Sequence, residues 1–232
     1  MIQLPLQVTL NDGVSFDNFV AARNREVVAA AQDEVQRLIY LWGAPASGKT
    51  HLLQAACRAA AQRGLQSAYL PLAQMSGLST AILDDLEQLA LICLDDVHAV
   101  AGHAEWERAL FHLYNRVRDG SARLIMAADA APAALPVALP DLTSRLTWSL
   151  VLQLHPLQDE DKLTALQQRA RSRGIDLPDE VARFLLARSA RDLPALFEFL
   201  QRLDIASLAA QRKLTIPLVR RLMNTDEAAR LS

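Results

Sequence analysis

Cysteine is scarce. The 232 residues hold two, Cys57 and Cys93, far apart and each inside an apolar segment. That excludes a disulfide framework and predicts two buried thiols in a reducing compartment. The five histidines are scattered without zinc-ligand spacing, which argues against a histidine-based metal centre. Long apolar runs are missing too: no stretch approaches the ~18 residues a membrane span requires. The N-terminus has no basic region, and its apolar stretch is too short for a secretory signal, so a cytoplasmic protein is expected. An excess of positive charge is also absent. Against 24 Lys and Arg stand 26 Asp and Glu; residues 1–150 carry 11 basic and 15 acidic groups, residues 151–232 carry 13 and 11. Neither part has the basic footprint of a protein that grips duplex DNA directly.

What is present suffices for a real core. Hydrophobic residues are 51% and charged residues 22%, the balance of a globular chain. Five short apolar runs without alternation, at 37–42, 67–72, 89–96, 122–129 and 149–155, read as strands buried on both faces. Helical patterns fall between them at 49–63, around 79–88, at 104–118 and at 141–146. Strand alternating with helix predicts an α/β domain with a five-stranded parallel sheet. After Pro156 only helical patterns continue, at 159–173, 179–189, 192–211 and 216–223. The expected organisation is a tail over 1–12, an α/β domain over 13–156 and a small all-helical domain over 157–232.

GAPASGKT (43–50) fits G-x-x-x-x-G-K-[ST], with a buried strand before it and a helix after it. Gly43 and Gly48 let such a loop wrap, with Pro45, Ala46 and Ser47 between them and its N–H groups turned toward phosphate oxygens. The helix N-terminus adds partial positive charge. Lys49 reaches the β- and γ-phosphates and the Thr50 hydroxyl ligates Mg²⁺. LICLDD (91–96) ends an apolar strand in two acids. Asp95 at the sheet's carboxyl edge is placed to hold Mg²⁺, and Asp96 to orient a hydrolytic water. Asp129 ends the fourth strand, where it reads equally as a γ-phosphate sensor or as a turn initiator before Ala-Ala-Pro. On the residues alone Arg145 reads as a solvated charge, and Arg191 either as an ordinary helix start or as a cation folded back on the nucleotide.

Taken together, GKTHLL, LDDVH, the polar end of the fourth strand, DLTSRL (141–146) and ARDLPALFEFL (190–200) resemble the AAA+ ATPases, specifically the DnaA branch, in order and spacing. SFDNFV (15–20) is similar to the segment with which DnaA proteins line the adenine pocket. The resemblance runs from about Phe16 to the end of the sequence. It implies an AAA+ domain with a helical lid, and ATP or ADP with Mg²⁺ as cofactors. It implies that Phe16, Phe19 and His51 join the phosphate loop in binding nucleotide. By the same resemblance Arg145 is an arginine finger reaching into a neighbouring subunit, Asp129 is sensor 1 and Arg191 is sensor 2. A DnaA initiator carries a single-stranded-DNA insertion before its Asp-Asp strand, for which residues 73–88 are too few. It also carries a terminal helix-turn-helix domain, and this sequence ends after the lid.

LPDLTSRLTW (139–148), DEDKLTALQQRARSRG (159–174) and AQRKLTIP (210–217) are similar to regulatory members of that branch. These work with the sliding clamp to make DnaA hydrolyse its ATP. The expected partners are therefore DnaA and the clamp, in the cytoplasm of a bacterium. The stretch QLPLQV (3–8) resembles the bacterial clamp-binding motif: Gln3, Leu4 and Leu6 fit, while Pro5, Gln7 and Val8 depart from its usual ending. Val8 would share an apolar pocket with Leu6. The competing reading has residues 1–8 docked on the domain as a staple. Two further functions stand beside the regulator: a helicase loader that turns over its own ATP, and a small-molecule kinase, which would leave Arg145 without a purpose. Slow ATP turnover in isolation is expected of the regulator. The residues do not distinguish ATP from ADP as the active ligand, although the resemblance implies ADP, and self-association is left open.

Overall fold

A computed structural model describes residues 14–188, 196–197, 199–200, 215–217 and 219–221. The tail expected over 1–12 lies outside them. Five strands form one parallel sheet: β1 (Leu38–Trp42), β2 (Ser67–Pro71), β3 (Leu91–Asp95), β4 (Arg123–Ala128) and β5 (Leu150–Gln153), in the order β2-β3-β4-β1-β5. β3 and β4 are buried along their whole length. That is why both appear in the sequence as continuous apolar runs: a parallel strand with helices on both faces has no wet side to encode.

Alternate residues serve opposite faces. Tyr40, Ile92, Leu94, Leu124 and Met126 pack against Trp106, Leu110, Leu113 and Val117 of α4 (Ala104–Asp119) and Leu142 and Leu146 of α5 (Pro140–Trp148). Ile39, Leu41, Cys93, Ile125 and Ala127 face Leu52, Leu53, Ala56 and Cys57 of α2 (Lys49–Gln62). Cys57 and Cys93 are free and buried. Arg123 donates to the last carbonyls of helix α1 (Arg25–Gln32), at Ala30 and Ala31, and Arg37 to Val117 and Gly120 at the end of α4. Both cations sit where helix carbonyls lack partners and the dipole favours positive charge.

Two helices have no counterpart in the sequence pattern. α1 buries only Val27 and Ala31, too narrow a stripe to show as periodicity, and α3 (Leu72–Met75) is a single turn. The helix expected around 79–88 is instead two 3₁₀ turns, Thr80–Leu83 and Leu86–Gln88, interrupted by Asp85 in the left-handed region at φ 61°.

The chain divides into two compact units, Met1–Pro156 and Leu157–Ser232. The second packs α6 (Asp159–Arg171) and α7 (Asp179–Arg188) around Leu166, Val181 and Leu185, with Leu200 and Val219 completing its core. Of the helices expected at 192–211 and 216–223, the described residues 196–197, 199–200, 216–217 and 219–221 are helical. Among the described residues no helix is long and apolar enough to cross a membrane.

Candidate nucleotide site

The parallel sheet brings the carboxyl ends of β1, β3 and β4 to one edge, and the loop 43–48 leaves β1 there. Backbone constraints shape this loop more than side chains do. A Cβ on Gly43 would sit 2.3 Å from the Leu154 carbonyl oxygen, so only glycine passes between β1 and the chain leaving β5. Ala46 and Gly48 both hold positive φ, at 60° and 100°, and the loop thereby curls over the start of α2. Ser47 is buried, and among the described residues its hydroxyl has no hydrogen-bond partner.

Lys49 opens α2 and is 7% exposed. Its ammonium donates to the Gly43 and Ala44 carbonyls at 2.7 and 3.1 Å. Burial lowers its pKa, while the Asp95, Asp96 and Asp129 carboxylates work to keep it charged. Asp95, at the end of β3, is almost fully buried and collects three donors. The Thr50 hydroxyl donates to Oδ2 at 2.6 Å, the Tyr69 phenol to the same oxygen at 2.9 Å, and the Asp96 N–H to Oδ1 at 3.0 Å. Burial and the neighbouring Asp95 push the Tyr69 phenol well above its usual range. Asp96 occupies the left-handed region at φ 55°, and burial together with Asp95 raises its carboxyl. Asp129 follows β4 with its carboxylate 3.7 Å from His98 Nδ1.

On the other side of the loop, Phe19 packs edge-on against His51, ring centroids 5.2 Å apart, and a Cβ on Gly48 would lie 2.9 Å from the Phe19 ring. His51 Nε2 lies 3.0 Å from the Ser15 carbonyl, and the Phe19 N–H donates to the Phe16 carbonyl. The segment 15–19 is thus bound to the first turn of α2, with Phe16 and Phe19 against the same core. Asn24 is buried just after it and clamps His155 from both sides: its amide donates to the His155 carbonyl at 2.9 Å, and its oxygen accepts from the His155 N–H at 2.8 Å.

These donors fit a magnesium-bound nucleoside phosphate. Among the described residues the buried Ser47 hydroxyl lacks a partner, the Lys49 ammonium donates its hydrogen bonds to neutral carbonyls, and side chains are excluded at Gly43 and Gly48. Among the described residues no cluster of three or more His, Cys, Asp or Glu could hold a metal. Mg²⁺ would therefore be carried by phosphate, water and the Thr50–Asp95 pair.

Arg145 does not belong to this cluster. Among the described residues its guanidinium carbon lies 4.5 Å from the Trp148 ring centroid and 5.8 Å from that of Phe111. Gln3, Leu4, Leu6, Val8 and Arg191 lie outside the described residues. Three residues the motifs do not reveal also belong here. Tyr69 and Asn24 act through long-range contacts. Glu107 is buried in α4 and accepts from the N–H groups of Gly102, Ala138 and Leu139 at 2.7, 3.0 and 2.8 Å, tying the segment after β3 to the start of α5. An acid on the apolar stripe of α4 was the available signal for Glu107.

A family model of the bacterial DnaA ATPase domain matches residues 10–153, 144 of the 232 residues, and a model of the Hda lid domain matches residues 159–223. The structure is similar to domain III of the Thermotoga maritima replication initiation protein DnaA, at 21% identity and a TM-score of 0.78, covering 93% of this chain and 97% of that one. It is also similar to AMPPCP-bound DnaA from Aquifex aeolicus, at 24% identity, TM-score 0.67 and coverage of 83% and 66%. The Thermotoga maritima RuvB Holliday junction branch migration motor shares the fold at 16% identity, TM-score 0.69 and coverage of 91% and 71%.

Proposed function

Since this chain belongs to the bacterial DnaA ATPase-domain family, we propose that it is a nucleotide-bound regulator of replication initiation. It stimulates ATP hydrolysis on the initiator DnaA by supplying Arg145 in trans, and residues 3–8 tether it to the sliding clamp. The observation that carries this reading is the separation of Arg145 from the chain's own phosphate loop. Its described interactions are with a half-buried and an exposed aromatic ring and with the Asp119 carboxylate, not with a group of the nucleotide site. The lid match to Hda supports the same assignment.

Bound ADP or ATP with Mg²⁺ supplies a polyphosphate whose presence the surrounding groups can register. The loop 43–48 would wrap the phosphates, Lys49 would hold them in place of its carbonyl partners, and Thr50 with Asp95 would hold the metal. Asp129 would read the γ-position and Asp96 orient a hydrolytic water, Arg191 has the sensor 2 role by the family resemblance, and Phe16, Phe19 and His51 would hold the base. In the partner, the Arg145 guanidinium neutralises charge developing on the transferred phosphoryl group, an effect of ~10³–10⁵ in rate when supplied in trans.

The test is DnaA–ATP turnover with and without this protein and clamp loaded on DNA. Arg145→Ala should abolish stimulation while leaving ADP binding and melting unchanged; normal stimulation by that variant removes the finger role. A truncation lacking residues 1–8 should melt and bind nucleotide normally but lose clamp binding by surface plasmon resonance. Retained clamp binding defeats the tether, and unfolding favours the docked staple.

A second reading, a loader that turns over its own ATP, is favoured by the assembled Lys49–Thr50–Asp95–Asp96 cluster. Rapid hydrolysis in isolation would select it.

A further inference from the structure

α5 satisfies its core side with Leu142 and Leu146, each 1% exposed, yet carries an indole, Trp148, that is 67% exposed. Trp148 does little for the fold. What it touches is Arg145, three residues earlier and hence on the same side of the helix. The guanidinium carbon stands 4.5 Å from the Trp148 ring centroid, with Phe111 of α4 contributing a second ring at 5.8 Å. An unheld arginine spreads over many rotamers, and locking it in place costs entropy at the moment of use. Stacking removes much of that cost beforehand. A ring contact consumes no N–H donor of the guanidinium, which can still donate to phosphate oxygens, and the Asp119 carboxylate, which interacts electrostatically with Arg145, is a further charge near it. The helix is fixed at its start as well, because Glu107 accepts from the Leu139 N–H.

We propose that Trp148 is the positioning residue for Arg145, holding its guanidinium extended and edge-on toward the phosphates of a neighbouring subunit. The inference rests on the finger reading above. Its effect lies in preorganisation and not in contact with the partner, so it appears in the maximal rate and not in the affinity.

The experiment titrates the protein, as wild type, Trp148→Ala, Trp148→Phe and Arg145→Ala, into clamp-dependent DnaA–ATP hydrolysis. Trp148→Ala should lower the stimulated kcat about two- to fivefold, the range of an exposed cation–π contact. The half-saturating concentration, melting temperature and ADP affinity should not change. Trp148→Phe, which keeps a ring, should recover most of the rate. The indole emission assigned to Trp148, taken as wild type minus Trp148→Phe, should shift in Arg145→Ala. A raised half-saturating concentration at unchanged kcat would make Trp148 a direct partner contact and overturn the proposal. An equal loss in Trp148→Phe would do the same. Full activity of Arg145→Ala would instead overturn the finger reading, whereas inactive Arg145→Ala beside fully active Trp148→Ala would overturn this proposal alone.

Discussion

The phosphate loop and helix α5 present their charged groups in opposite ways. At the loop, polar groups are buried and pinned by one another: Asp95 takes three donors, and Lys49 rests on two carbonyls of its own loop. At Arg145, the charged group lies against an exposed ring and within the field of the Asp119 carboxylate. The first site is built to receive a small ligand whose geometry is fixed, so its donors are preorganised inward. In the function proposed above the second is completed by another macromolecule, which suits a group held at the root of its helix by Glu107. A charge kept for a partner needs orientation more than it needs satisfaction.

The largest expected effect tests whether the two regions are built separately. Lys49→Ala should weaken ADP binding by ~10- to 150-fold, the loss of a charge-assisted contact, measured by calorimetry. The Trp148 emission should be unaffected. Unchanged ADP affinity would remove the phosphate-loop assignment, and altered emission would mean that the two regions are coupled. Next in size, Glu107→Gln places an amide against N–H groups that need an acceptor. It should cost about 1–3 kcal/mol in scanning calorimetry and reduce stimulation of DnaA, with ADP affinity preserved. Preserved stimulation would show that the finger does not depend on the root of its helix.

Tyr69→Phe removes one of the three donors on Asp95. ADP binding in the presence of Mg²⁺ should weaken by up to about tenfold, and binding with chelator present should not change. The smallest effect serves as a control on α4. Partial burial pushes the Glu87 carboxyl up, but Arg116, at 2.9 Å, outweighs this and holds it below the usual range. The stabilisation is present above the unfolded carboxyl pKa and is lost as pH falls through the lowered one. Glu87→Gln should therefore cost under ~1 kcal/mol at pH 7 and flatten the acid limb of the stability curve, without altering stimulation. A loss of stimulation here would mean that the finger responds to any loosening of α4 and not to the bonds of Glu107.

Legibility followed sequence distance. The loop 43–50 and the Asp95–Asp96 pair are contiguous, and their chemistry requires particular residues at particular spacings, so the sequence displays them. The five strands were equally plain because a sheet covered on both faces leaves uninterrupted apolar runs. Tyr69, Glu107 and Asn24 were hidden because their partners are 26, 31–32 and 131 residues away, and each sits in a locally ordinary element. The short helix read at 79–88 failed for a local reason: the Asp85 backbone turns left-handed there, which periodicity does not report. Trp148 was quoted within its motif, yet its exposure and its stack on Arg145 depend on which side of α5 the core takes up.

The Asn24–His155 pair has a mechanical consequence. The last ladder bond from β1 to this segment runs from the Leu154 N–H to the Trp42 carbonyl, and the next residue is gripped by a side chain and not by a strand. His155 is followed by Pro156, where the first unit ends. A pull applied through Leu157 is therefore borne first by Asn24. That residue lies five positions beyond Phe19 in the stretch leading from the aromatic segment to α1. A load on the backbone after His155 therefore reaches the chain beyond Phe16 and Phe19 through the same two hydrogen bonds.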